Sequence, residues 1–177
     1  MSVKLMKGFE PKIFINVNAM NKMKEYIRQS SLEIGWLGTC EKLDNSSYYI
    51  GDVFLFKQEV HATTTEITPE GLNEFAMELM STPSGVEMWN NMKLWGHSHV
   101  NMGTNPSGQD NKQIETFESC GYDFFIRMIC NKQGNVRIDL YDYTSGIIYE
   151  ELEYEINYRE EDYNFISIIK EKIKALQ

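Results

Sequence analysis

The sequence has no apolar run approaching the ~20 residues needed to span a bilayer, which argues against a membrane-embedded chain. Its start, MSVKLMKGFEPKIFINV, lacks the long apolar segment and small-residue cleavage site of a secretory signal. Cysteine is scarce. Cys40, Cys120 and Cys130 are odd in number and show no C-x-x-C spacing, so neither a disulfide framework nor a thiolate metal site is expected. Reduced thiols in a cytoplasmic protein are the simplest expectation. Basic residues are also short: 17 Lys and Arg face 26 Asp and Glu, a net charge of -9. A surface that tracks phosphates needs clustered cations, so nucleic acid is not an expected partner; the acidity equally serves solubility. There is no internal repeat, low-complexity tract or Pro/Gly-rich linker. A chain of 177 residues then reads as one domain (1–177) with a substantial core.

Strand-like and helix-like segments alternate along the chain. Residues 12–17 read as a strand, and 18–30 as a helix with Met20, Met23 and Ile27 at helical spacing. Strands are expected at 33–41 and 48–57, the second rich in aromatic and β-branched residues. Thr68-Pro69-Glu70 opens a helix to about residue 81, because Thr caps, Pro suits the first helical position and Glu favours the dipole. Residues 93–100 read as a buried strand. Ser107 caps a helix expected to stop at Gly121. Three further strands are expected at 123–131, 135–142 and 147–156. In the last, Leu152, Tyr154 and Ile156 alternate with glutamates. A C-terminal amphipathic helix over 163–176 carries Phe165, Ile166, Ile169, Ile173 and Leu176 on one stripe, which would cover the sheet or a partner subunit. The order predicts an α/β sandwich: a mixed, mostly antiparallel sheet flanked by helices.

Two of the three histidines sit one residue apart, in His97-Ser98-His99. On a strand both side chains point to the same face, so both imidazoles can reach one cation; two hydrogen-bonded strand histidines are the plainer alternative. With Ser107 as cap, Asp110 falls in the first turn of its helix, where the dipole favours a carboxylate. Two His and one carboxylate complete three protein ligands and leave a fourth position for water, the pattern of a catalytic zinc site. Such a site wants a general base. Glu33 is the best candidate, opening a strand whose Gly35 and Gly38 permit close approach, although an exposed strand-start carboxylate would read the same way.

The pattern Glu33 … His97-x-His99-x7-Ser107-x2-Asp110 resembles the JAMM (MPN+, or JAB domain) zinc metallopeptidases. The resemblance implies a cytidine-deaminase-like/MPN fold and one zinc ion per chain, held by His97, His99 and Asp110. It implies that Glu33 shuttles a proton from the activated water to the leaving amine, and that Ser107 stabilises the oxyanion. It further implies hydrolysis of a peptide or isopeptide bond, often after the tail of a ubiquitin-like or sulfur-carrier protein. Many members carry proline after the second histidine. Here the residue is Val100, which implies a different loop shape. The chain has little room for the insertions that grip ubiquitin chains, and looks more like compact prokaryotic or viral members. A non-catalytic scaffold of the same fold and a zinc hydrolase of small amides are the competing functions.

Other candidates read more plainly. His61 suits a surface loop. The cysteines suit small buried hydrophobes. Trp95 would share the face of His97 and His99, as core or as a wall of the site. Arg159–Asp162 suits a solvated turn. The oligomeric state and the substrate-binding residues are open in the sequence.

Overall fold

The computed structural model describes residues 10–61, 64–66, 68–158 and 160–175. Ten strands and five helices follow one another among them: β1 (Lys12–Asn16), α1 (Val17–Gln29), β2 (Gly35–Asp44), β3 (Ser47–Phe54), β4 (Glu59–His61), β5 (Thr64–Glu66), α2 (Pro69–Met80), α3 (Gly85–Asn90), β6 (Met92–Ser98), α4 (Gly108–Glu118), β7 (Phe124–Cys130), β8 (Val136–Asp142), β9 (Ile147–Tyr149), β10 (Tyr154–Asn157) and α5 (Glu160–Ala175). Eight strands form one sheet in the order β10-β1-β3-β2-β6-β7-β8-β9, and β4 pairs with β5 in a separate hairpin. The sheet is mixed. β1 runs parallel to β10 and β3, and β6 parallel to β7, while the other neighbours are antiparallel.

The two-residue period of a strand divides the apolar side chains between two cores. Trp36, Leu94, Ile126 and Leu140 face α1, where Ala19, Met20, Met23 and Ile27 complete a cluster. Their chain neighbours Leu37, Trp95, Phe125 and Tyr141 face the other way and pack with Leu79, Ile114 and Phe117 of α2 and α4. Gly96 belongs to the first face by absence of a side chain: a Cβ there would stand 2.2 Å from Trp36 Nε1. Among the described residues, no helix is long and apolar enough to cross a membrane.

Local signals placed most elements. Thr68 caps α2 by accepting from Gly71 N–H, with Pro69 in the first turn. The structure departs from expectation where pairing is long-range. The segment 147–156 is two strands at opposite sheet edges: β9 pairs with β8, whereas β10 pairs with β1. Glu151, at φ 53°, turns the chain between them. β2 begins at Gly35, so Glu33 precedes the strand rather than opening it. β6 ends at Ser98, one residue short of His99, and α4 ends at Glu118, with Gly121 at φ 80° in the turn beyond. The hairpin β4–β5 and the short helix α3 fall between the elements expected from the sequence. His61 ends β4 and its side chain, like Arg159 and Leu176, lies outside the described residues. Cys40 and Cys130 are buried, and Cys120 is exposed.

Candidate metal centre

The histidine strand lies in mid-sheet, between β2 and β7. His97 is paired across from Gly35 on one side and beside Ile129 on the other. Past the end of β6 the backbone stays pinned, because His99 N–H donates to Cys130 O at 2.8 Å. Both imidazoles are buried on the face that carries Trp95. Trp95 stacks on His97 at 4.5 Å between ring centroids, so it is both a core residue and a wall of the site.

The next residue, Val100, adopts φ 54°. This left-handed conformation is unusual for a β-branched residue and closed to proline, whose ring fixes φ near -65°. Two hydrogen bonds hold it there: Val100 N–H donates to Ser98 Oγ at 3.0 Å, and its carbonyl accepts from Lys132 N–H at 2.7 Å. The chain then turns back, and Gly103 O accepts from His99 Nδ1 at 2.6 Å. That bond leaves His99 Nε2 as the nitrogen with a free lone pair in the neutral ring, aimed inward.

α4 supplies the carboxylate. Ser107 Oγ accepts from Asp110 N–H at 3.2 Å, and Asp110 Oδ2 accepts from Ser107 N–H at 2.6 Å, a reciprocal capping box. The cap thus orients the carboxylate as well as starting the helix. Asp110 Oδ1 lies 3.0 Å from His97 Nε2, and Oδ2 lies 3.2 Å from His99 Nε2. One potential donor atom from each of the three residues falls within 4.8 Å of the others. Donors about 2.0–2.1 Å from a tetrahedral ion stand roughly 3.3 Å apart, close to both measured separations. Moreover, both ring nitrogens of His97 are buried without a hydrogen bond, although Nε2 approaches Asp110 Oδ1 to 3.0 Å. Such an orphaned imidazole is costly, and a cation on Nε2 would remove part of that cost. The three side chains can hold a metal ion.

Glu33 arrives from far along the chain through sheet pairing. Ser98 N–H donates to Ile34 O at 2.9 Å, which brings the residue before Ile34 to the end of the histidine strand. A further residue fixes this junction. Gln58 donates to Gly35 O and accepts from Gly35 N–H, both at 2.8 Å. Nothing local in the sequence marks Gln58; its role arises only because the chain after β3 passes the start of β2. Glu33, Trp95, His97, His99, Ser107 and Asp110 line one cleft of about 240 Å³, together with Met102, Gly103, Asn105, Gln109 and Gln113.

The electrostatics differ among the acids. Burial opposes ionisation of Asp110, but the neighbouring histidines and the Ser107 N–H outweigh it and hold the carboxyl well below the usual range. Asp110 in turn raises the His99 pKa against the effect of burial. Burial raises the Glu33 pKa, with Asp110 adding to the rise and both histidines opposing it. Glu33 is therefore a stronger base than an ordinary carboxylate.

Behind α4, Asp139 is fully buried and anchors two arginines. It accepts from Arg127 Nε and NH2 at 3.2 and 2.6 Å, from Arg137 Nε at 3.0 Å, and from Glu151 N–H at 2.9 Å. Each arginine reaches on toward the cleft: Arg127 NH1 donates to Asn111 Oδ1 at 2.8 Å, and Arg137 NH1 to Asn105 Oδ1 at 3.3 Å. Asn111 follows Asp110 directly, so this buried ion cluster ties the ligand-bearing helix to β7 and β8.

No family model matches this chain, and no curated protein does. Among solved structures, its fold is similar to the solution structure of protein DSY2949 from Desulfitobacterium hafniense. The TM-score is 0.57 at 14% identity, over 83% of this chain and 94% of that one. At that identity the likeness speaks to the fold alone.

Proposed function

We propose that this chain is a JAMM-type zinc metallopeptidase with a cytidine-deaminase-like/MPN fold, cleaving a peptide or isopeptide bond. The observation that carries this reading is the convergence of Glu33 with His97, His99, Ser107 and Asp110 on one cleft. Two neutral imidazoles and a carboxylate, with a fourth position open, form the donor set of a catalytic zinc. When bound, zinc supplies Lewis acidity that activates water and polarises a carbonyl.

The chain's own groups do the rest. Glu33, its basicity raised by burial, accepts the proton of the attacking water and delivers it to the leaving amine. Ser107 Oγ already accepts from Asp110 N–H, which leaves its own O–H to donate to the developing oxyanion. Trp95 and Met102 make part of the cleft wall apolar. A cleft of about 240 Å³ is small for a folded partner and suits an extended, small-residue tail such as that of a ubiquitin-like or sulfur-carrier protein.

The test is Glu33→Gln, assayed on Gly-Gly-tailed fusion proteins. The variant should keep about one zinc per chain and lose at least ~100-fold in kcat. Cleavage near the wild-type rate would remove Glu33 from the mechanism. The same small volume also fits a non-peptide amide, so small amides belong in the assay; turnover of these alone would favour that second reading.

A further inference from the structure

Asn105 stands in the loop between His99 and α4 and forms part of the cleft wall. Side-chain bonds pin this loop at successive points. His99 Nδ1 lies 2.6 Å from Gly103 O, Asn131 Nδ2 donates to Met102 O at 3.0 Å, and Arg137 NH1 donates to Asn105 Oδ1 at 3.3 Å. The last bond decides which way the Asn105 amide faces. A guanidinium only donates, so it meets the amide oxygen and never the amide nitrogen. Arg137 is itself held in place. Its side chain is only 10% exposed, and its Nε donates to the fully buried Asp139 at 3.0 Å. With Pro106 and Asn111, Arg137 lines a second cavity behind α4, and among the described residues it is not part of the cleft wall. The Asn105 oxygen is therefore drawn away from the cleft that the same side chain helps to line. Its Nδ2 makes no hydrogen bond among the described residues.

We infer that Asn105 is a substrate-binding residue whose Nδ2 donates to a main-chain carbonyl of an extended segment in the cleft, and that Arg137 is the positioning residue that holds it in the donating orientation. The inference rests on the peptidase reading of the cleft. An uncharged N–H donor suits a neutral acceptor such as a peptide carbonyl. An anionic acceptor fits less well, because Glu33 and Asp110 line the same cleft and like charges repel. Ser107 is the donor assigned to the oxyanion. The Asn105 donor acts on the bound ground state, so its loss falls on KM and not on kcat.

Two substitutions at this exposed position separate the donor from the tie to the loop. Asn105→Asp keeps an acceptor for Arg137 and removes the N–H donor. Asn105→Leu is close in size, adds no charge and removes both. The metal-loaded full chain is assayed for cleavage of a Gly-Gly-tailed fusion protein. Calorimetry measures its binding of a tail peptide ending in Gly-Gly, the acyl product. Both variants should raise KM and the peptide Kd at least ~5-fold, the worth of one hydrogen bond, and change kcat less than ~2-fold. Arg137→Gln should raise both constants in the wild-type background and leave them unmoved beside Asn105→Leu, because it acts only through the amide. An Asn105→Asp variant that binds and cleaves like wild type overturns the inference, since a bond that merely shapes the loop survives in it. A loss confined to Asn105→Asp overturns it equally, as repulsion by the new charge. An Arg137→Gln effect undiminished beside Asn105→Leu overturns the positioning role. Peptide binding weakened by both Asn105 substitutions in a protein that cleaves nothing would refute the peptidase reading and leave this inference standing. Cleavage with an unchanged KM would do the reverse, and a wild type that neither cleaves nor binds the tail overturns both.

Discussion

Replacing Asp139 with alanine probes how the ligand-bearing helix is held. The carboxylate is completely buried, and Arg127 is only 2% exposed. Without Asp139, the Arg127 guanidinium keeps one hydrogen bond, to Asn111, and becomes a buried cation with no counter-ion. Breaking a buried pair from one side costs about 3–5 kcal/mol, a large share of the ~5–15 kcal/mol that holds a domain folded. For a chain of this size each kcal/mol moves the Tm by about 2–4 °C, so a fall of roughly 6–20 °C is expected. Urea titration and thermal melting, followed by circular dichroism, measure it. The control is Arg127→Met in the same background, which removes the orphaned charge and keeps most of its volume. The double variant should recover part of the loss, because an apolar pair tolerates burial that a lone cation does not. A loss below about 1 kcal/mol for Asp139→Ala would refute the reasoning; so would a double variant whose loss is the full sum of the two single losses.

Two further outcomes follow from other sites. Val100→Pro should destabilise the loop between the histidines and α4 by about 3 kcal/mol or more, since proline cannot adopt φ 54° and lacks the N–H given to Ser98 Oγ, whereas Val100→Gly should be neutral or stabilising by up to ~1 kcal/mol; equal effects in denaturant titrations would contradict the strain argument. At the surface, burial raises but the Lys93 ammonium 2.8 Å away lowers the Asp123 pKa, and the net shift is downward. The folded pKa thus lies below the unfolded one, so the pair stabilises above about pH 3.9 and is lost as the pH falls through the folded value. Asp123→Asn should cost about 0.5 kcal/mol at pH 7 and nothing at low pH; a pH-independent cost would assign the effect to packing.

What could be read along the chain was whatever a few consecutive residues decide. The pair His97 and His99 shares a face because of the strand period, and Ser107 with Asp110 forms a capping box because helix starts leave their own N–H groups free. Two histidines and a carboxylate from one stretch of fourteen residues could therefore be proposed as ligands before any fold was known. The amphipathic α1 and α5, the cap of α2 and the burial alternation of Leu152, Tyr154 and Ile156 were legible for the same reason, although Leu152 lies in the connection before β10 and only Tyr154 and Ile156 belong to that strand.

Everything that depends on which strand lies beside which was decided by tertiary structure. Glu33 reaches the cleft only through the register of β2 on β6, which Gln58 secures from another loop. The bond from Arg127 to Asn111 crosses from β7 to α4, and Asp139 binds it from β8. The split of 147–156 between opposite sheet edges has the same origin. A strand's hydrogen-bonding groups are satisfied by a neighbour that can lie anywhere in the chain, whereas a helix or a cap satisfies its own within four residues.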